Sequence, residues 1–148
     1  MEFEKTIEII NRLEFFKDFN SEEKRFFATL NSQHVTFEKN ATIIRQGEID
    51  SSLFILLCGR VKVVREPQSK TTLAELEPGA IFGEVSFLKK KPRLTSVIAL
   101  EKVVALQVDG AMIERLNPIL LNKFKNQLIE LLLSRLDKMN EKFLLLNQ

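Results

Sequence analysis

Phe82-Gly83-Glu84-Val85-Ser86-Phe87-Leu88, followed after Lys89-Lys90-Lys91 by Pro92-Arg93-Leu94-Thr95-Ser96-Val97, is the stretch on which the reading of this 148-residue chain turns. It sets one acid and one arginine a short loop apart, with glycine before the acid and proline before the arginine. Gly83 lets backbone approach a ligand closely and tolerates positive φ. Glu84 to Leu88 can form one helical turn, whose first N–H groups, near Val85 and Ser86, would face an anion. Arg93 can grip two phosphate oxygens at once, which lysine cannot do with the same geometry. An ionised Glu84 can accept a hydrogen bond from a ribose 2′-hydroxyl; beside a phosphate it makes sense only if the sugar edge faces it. The combination suits a small phosphate ester of a ribonucleoside. Lys89-Lys90-Lys91 reads as a solvated hairpin tip, with a local field that steers anions as the competing reading.

Upstream of this stretch the pattern is that of short strands. Val35 and Phe37 alternate with polar neighbours, as do Val61 and Val63, and Ile43-Ile44, Leu53 to Leu57, Val97 to Ala99 and Val103 to Leu106 are short apolar runs. Lys39-Asn40, Gln46-Gly47, Cys58-Gly59, Glu66-Pro67 and Pro78-Gly79 punctuate them as turns. Helical patterns flank the strands. Phe3, Ile7, Ile10 and Leu13 recur at helical spacing; Asn20 and Glu23 form a helix start, with Phe26, Phe27 and Leu30 on its apolar side. After Asp109-Gly110 the pattern is helical again, and Asn117-Pro118 suits the cap and first residue of a long last helix.

The expected architecture is mainly β with flanking helices. It is an antiparallel β-roll of jelly-roll or double-stranded β-helix type, with N-terminal helices over 1–33, the roll over 34–109 and C-terminal helices over 110–148, all in a single domain.

In the last helix Ile129, Leu132, Leu136, Met139, Phe143 and Leu146 fall at alternating three- and four-residue steps, a heptad-like seam. Leu131, Leu133, Leu144 and Leu145 add apolar surface off that seam, which favours a partner, a homodimer or another protein, over a helix packed only on its own barrel. Phe124 and Leu128 read as core.

Composition narrows the function classes. With 45% hydrophobic and 28% charged residues and a net charge of +2, the chain reads as a soluble domain without the basic balance of a nucleic-acid binder. No apolar run is long enough to cross a bilayer, and the N-terminus has no signal core, so a cytoplasmic location is expected. Cys58, the lone cysteine, reads as a small buried hydrophobe, and His34, the lone histidine, as a partly exposed turn residue. One histidine argues against a cupin-type metal cluster and leaves no spare base for a catalytic triad, so no enzyme and no resident cofactor or metal are expected.

The stretch 82–96 resembles the phosphate-binding cassette of the cyclic nucleotide-binding domain family, the sensor domains of protein kinase A regulatory subunits and of the catabolite activator protein. Gly47-Glu48, Ser52-Leu53-Phe54, Leu57-Cys58-Gly59-Arg60-Val61 and Leu76-Glu77-Pro78-Gly79 extend the similarity over nearly the whole chain. The resemblance implies a regulatory module rather than an enzyme. In it Glu84 holds the ribose 2′-hydroxyl and Arg93 pairs with the cyclic phosphate. Phe82 and backbone groups of Gly83, Val85, Ser86, Leu94 and Thr95 complete the ligand pocket.

Family members preferring cyclic GMP often carry Thr after the arginine. Leu94 stands there, so cyclic AMP is the expected ligand and cyclic GMP the less favoured one. Leu94 is also larger than the usual Ala or Ser, which narrows the base pocket. The final helix is expected to supply a lid, with Arg135 its polar candidate; a plain surface arginine is the competing reading. The helix-turn-helix that transcription regulators of this family carry next does not follow Leu146, so DNA binding is not expected. The alternative function is a β-roll that binds no nucleotide and acts through its last helix.

Overall fold

The computed structural model describes residues 3–29, 32–66 and 68–146. Helix α1 (Phe3–Arg12), a 3₁₀ turn (Glu14–Phe16) and α2 (Ser21–Thr29) precede the strands. The predicted capping box is present: Glu23 N–H donates to Asn20 Oδ1 (2.8 Å), and Asn20 N–H donates to Glu23 Oε1 (2.9 Å). Leu30 lies outside the described residues.

Among the described residues eight strands follow: β1 (Ser32–Phe37), β2 (Thr42–Ile44), β3 (Leu53–Cys58), β4 (Val61–Arg65), β5 (Gln68–Leu76), β6 (Ile81–Phe82), β7 (Ser96–Ala99) and β8 (Val103–Val108). They form two four-stranded sheets, ordered β1-β8-β3-β6 and β2-β7-β4-β5, with every pairing antiparallel. This is the expected β-roll. Between β6 and β7 lies the short helix α3 (Glu84–Lys89), and after β8 come α4 (Gly110–Glu114) and α5 (Pro118–Leu146).

The apolar run Leu53–Leu57 is explained by a strand buried on both faces. Phe54 and Leu56 enter the space between the sheets with Ile44, Val61, Phe82 and Val97. Leu53, Ile55 and Leu57 point the other way, into a second core that the helices build on the outer face of the first sheet. Phenylalanines dominate that second core. Phe16 and Phe27 are fully buried, Phe27 stacks on Phe124, and Phe87 of α3 meets Phe124 edge-on at 5.8 Å. Phe124 and Leu128 are core, as expected. Each such side chain contributes on the order of 1.5–3 kcal/mol, so α5 and α3 are tied to the roll through one aromatic cluster.

Two single-residue expectations are corrected. Cys58 is exposed, because the register of β3 against β8 shifts between Leu56 and Cys58 and turns the last residue outward. His34 belongs to β1, not a turn, and its Nε2 is hydrogen-bonded to Oγ1 of buried Thr6 at 2.8 Å. The alternation at Val61 and Val63 is likewise broken: an irregularity against β5 follows Val63, and Val64 is buried instead.

Helix α5 opens as the sequence suggests. Pro118 is its first residue, and Asn117 Oδ1 accepts from Leu120 N–H at 2.9 Å. Its first half buries Leu120, Phe124, Gln127 and Leu128. On another face α5 carries the expected seam, of which Ile129, Leu136, Met139, Phe143 and Leu146 are about half or more exposed, while Leu132 is partly buried. No helix among the described residues is long and apolar enough to cross a membrane.

Candidate functional site

Strand β6 ends at Phe82, and Gly83 turns the chain into α3 with φ at 86°. A side chain at this position would meet Ser52 O at 2.8 Å and Arg93 Nη1 at 3.0 Å, so both conformation and space demand glycine. Helix α3 ends at Lys89, and Lys90 takes a left-handed conformation whose N–H donates to Ser86 O at 2.7 Å. The lysine run is therefore the end of a helix and its exit; all three residues are exposed.

The loop returns at Arg93, whose backbone pairs with the Gly47 turn. Gly47 N–H donates to Arg93 O, and Arg93 N–H to Glu48 O, each at 2.8 Å. The Arg93 side chain is buried, 5% exposed. Nη1 donates to Gly83 O (2.9 Å) and Nη2 to Ser52 O (2.8 Å), with Asp50 Oδ2 3.6 Å from Nη2. Burial pushes this guanidinium below its ordinary value, while Asp50, Glu84 and Glu48 oppose the shift. Arginine stays charged throughout the accessible range, so the site holds a fixed, pre-aimed cation. Asp50 and the two carbonyls had no motif to announce them; Asp50 sits two residues before Ser52, whose N–H donates to its Oδ1 at 3.0 Å.

Glu84, at the start of α3, is 6% exposed. Its Oε1 accepts from Arg135 Nη1, and Arg135 Nη2 donates to Ile81 O. Arg135 is thus no plain surface arginine: its half-buried guanidinium crosses from α5 to the β6–α3 segment. Among the described residues no buried side-chain polar atom lacks a partner.

Glu84 and Arg93 open into one cavity of about 290 Å³. Ser86, Thr95 and Arg135 join them on the polar side, with Gly83, Val85 and Leu94 on the same segment. The rest of the wall is apolar, made by Ile44, Val63, Ala74, Leu76, Phe82 and Val97. Leu94 is about half exposed, on the rim. A charged end and a dry aliphatic slot, joined in one concavity, suit a ligand with an anion, a sugar edge and a flat base. A larger cleft of about 360 Å³ lies between the 3₁₀ turn and α5. It contains neither Glu84 nor Arg93, and its Glu14 and Glu130 both pair with Lys17.

The sequence profile of the cyclic nucleotide-binding domain matches residues 34–117. The chain belongs to the cyclic nucleotide-binding domain family.

A regulatory subunit of cAMP-dependent protein kinase from Dictyostelium discoideum is 30% identical over 87 residues, covering 55% of this chain and 27% of that protein. The match therefore spans about a quarter of that relative's length. A solved cyclic nucleotide-binding domain from Methylobacillus flagellatus superposes with a TM-score of 0.83 at 28% identity, covering 96% of this chain and 82% of that one. The regulatory subunit of a cAMP-independent protein kinase A from Trypanosoma brucei superposes at 0.76 with 26% identity, covering 86% and 44%. The domain is regulatory in such relatives, and their names differ over dependence on cyclic AMP.

Proposed function

We propose that this domain is a non-catalytic sensor that binds cyclic AMP in the 290 Å³ cavity and passes the binding event to α5. One observation carries the reading: the acid and the arginine of the cassette, nine residues apart, face one concavity. Arg93 takes the cyclic phosphate, helped by backbone of Gly83, Val85, Ser86, Leu94 and Thr95, and Glu84 takes the ribose 2′-hydroxyl. The base lies along Ile44, Val63, Phe82 and Val97.

That wall offers no side-chain donor or acceptor, and Leu94 carries no hydroxyl. Guanine, with more polar edge than adenine, would lose more solvation there without compensation, which favours cyclic AMP over cyclic GMP. Helix α5 reaches the site through Arg135 and carries the exposed apolar stripe. The expected readout is a change in how that stripe meets a second copy or another protein. A ligand can drive this only through different affinities for two arrangements of α5.

Calorimetric titration with cyclic AMP, cyclic GMP and linear AMP tests the proposal. Saturable binding is expected, tightest for cyclic AMP. No heat and no thermal shift with any of them up to millimolar concentration would overturn it, leaving a roll that works through its last helix alone.

A further inference from the structure

The bond between α5 and the cassette carries an inference that rests on the assignment of Glu84 to the sugar. We propose that Arg135 is a positioning residue for the sugar-binding carboxylate: its guanidinium, bonded to both Glu84 Oε1 and Ile81 O, holds Glu84 in the place that a ribose 2′-hydroxyl requires.

Three features of the site support this. First, the contact uses one carboxylate oxygen, and a carboxylate accepts through two oxygens with about four lone-pair directions. The hydroxyl and the guanidinium can share Glu84. Second, the fork has two anchors. With one nitrogen on Glu84 and the other on a main-chain carbonyl of β6, the plane of the guanidinium is fixed, and the carboxylate is fixed with it. Third, the charges need it. Glu84 has a side chain only 8% exposed and lines the cavity in which Arg93 would hold an anion. A buried carboxylate facing a phosphate is repelled by it unless a cation stands beside it. Arg93 is already engaged by Asp50 and two carbonyls, so Arg135 is the cation bonded to Glu84. It follows that α5 contributes to sugar recognition without touching the sugar, and that the affinity for a ribonucleotide depends on where α5 sits.

The discriminating quantity is the ratio of affinities for cyclic AMP and its 2′-deoxy analogue, measured by competitive titration on the full chain. In the wild type the ribonucleotide is expected to bind about tenfold or more tightly, the scale of a hydrogen bond to a charged acceptor. Arg135→Leu should bring the ratio close to one, and Arg135→Lys, which keeps the charge but lacks the planar fork, should give an intermediate value. A purely structural role would weaken both ligands alike, so an unchanged ratio in Arg135→Leu overturns the proposal. If that variant does not fold, Arg135→Lys decides alone, and a wild-type ratio there overturns it. A wild type that binds both analogues equally well removes the sugar assignment itself, a result separable from the other because it needs no variant.

Discussion

Replacing Gly83 by alanine perturbs backbone, packing and charge at one point. The residue sits at φ 86°, where an L side chain costs roughly 1–2 kcal/mol. The new carbon would also stand 2.8 Å from Ser52 O and 3.0 Å from Arg93 Nη1. Neither neighbour can step aside cheaply, because Ser52 O accepts from Arg93 Nη2 at 2.8 Å and Arg93 Nη1 donates to the carbonyl of Gly83 itself. Relief of the clash therefore weakens at least one charge-assisted bond, each worth about 1.5–3 kcal/mol.

The sum is about 2.5–5 kcal/mol of stability, or about 5–20 °C in Tm for a domain of this size. Cyclic AMP should bind about tenfold or more weakly, because the displaced group is the phosphate anchor. Gly47 is the control. It has φ 90°, lies beside the same arginine, and a carbon added there meets nothing within 4 Å. Gly47→Ala should therefore show the conformational part alone, about 1–2 kcal/mol. Thermal denaturation and calorimetric titration of both variants check the difference. Equal Tm losses in the two, or a Gly83→Ala protein with wild-type affinity, would refute the argument that Gly83 exists to make room for Arg93.

Arg93→Ala should weaken cyclic AMP binding by about 2–3 kcal/mol or more, measured by the same titration; near-wild-type affinity would place the phosphate elsewhere. Glu23 bridges α2 to α5, and its hydrogen bonds with Lys123 and Asn20 hold its carboxyl below the usual range. A depressed carboxyl stabilises the fold above its unfolded value and loses that contribution as pH falls through its folded one. Glu23→Gln should thus lower Tm at pH 7 and flatten the fall of Tm on acidification; parallel curves for wild type and variant would contradict this. Leu136, half exposed on the stripe of α5, should tolerate aspartate in the fold, while Leu136→Asp turns an oligomer into a monomer by light scattering; a wild type monomeric at high concentration discards the interface.

What could be read from the sequence was what local chemistry dictates. Gly47, Gly59, Gly79 and Gly83 all adopt positive φ at the turns that punctuate the strands. Asn20 and Asn117 cap the helices that follow them. The acid and arginine of the cassette were legible because nine residues of loop and one helical turn carry both. What escaped depends on pairing across the fold. Arg135 was named as a lid candidate through the family resemblance, but its bond to Glu84, 51 residues away, is a pairing that neither periodicity nor turn chemistry shows. Asp50 reaches Arg93 only because two backbone bonds lay the Gly47 turn against the cassette loop. Cys58 looked buried because an apolar run was extended by one residue past a register shift that sequence does not show.

The arrangement of charge explains why an arginine buried this deeply need not capture every small anion. Each of the two guanidiniums has an acid as its neighbour: Asp50 near Arg93 and Glu84 against Arg135. The four formal charges cancel, so a bare phosphate entering the cavity must compete with Asp50 for Arg93 and meets Glu84 as a repulsive neighbour. A cyclic ribonucleotide meets the same opposition but brings a hydroxyl that turns Glu84 into a partner and a base that fills the slot lined by Ile44, Val63 and Val97. On the proposed reading, selectivity against inorganic phosphate comes from these two acids as much as from the arginine. Asp50→Asn should then tighten binding of plain phosphate by a larger factor than binding of cyclic AMP. Titrating both anions against that variant measures it, and a gain equal for the two ligands would show that Asp50 only lowers the charge of the site.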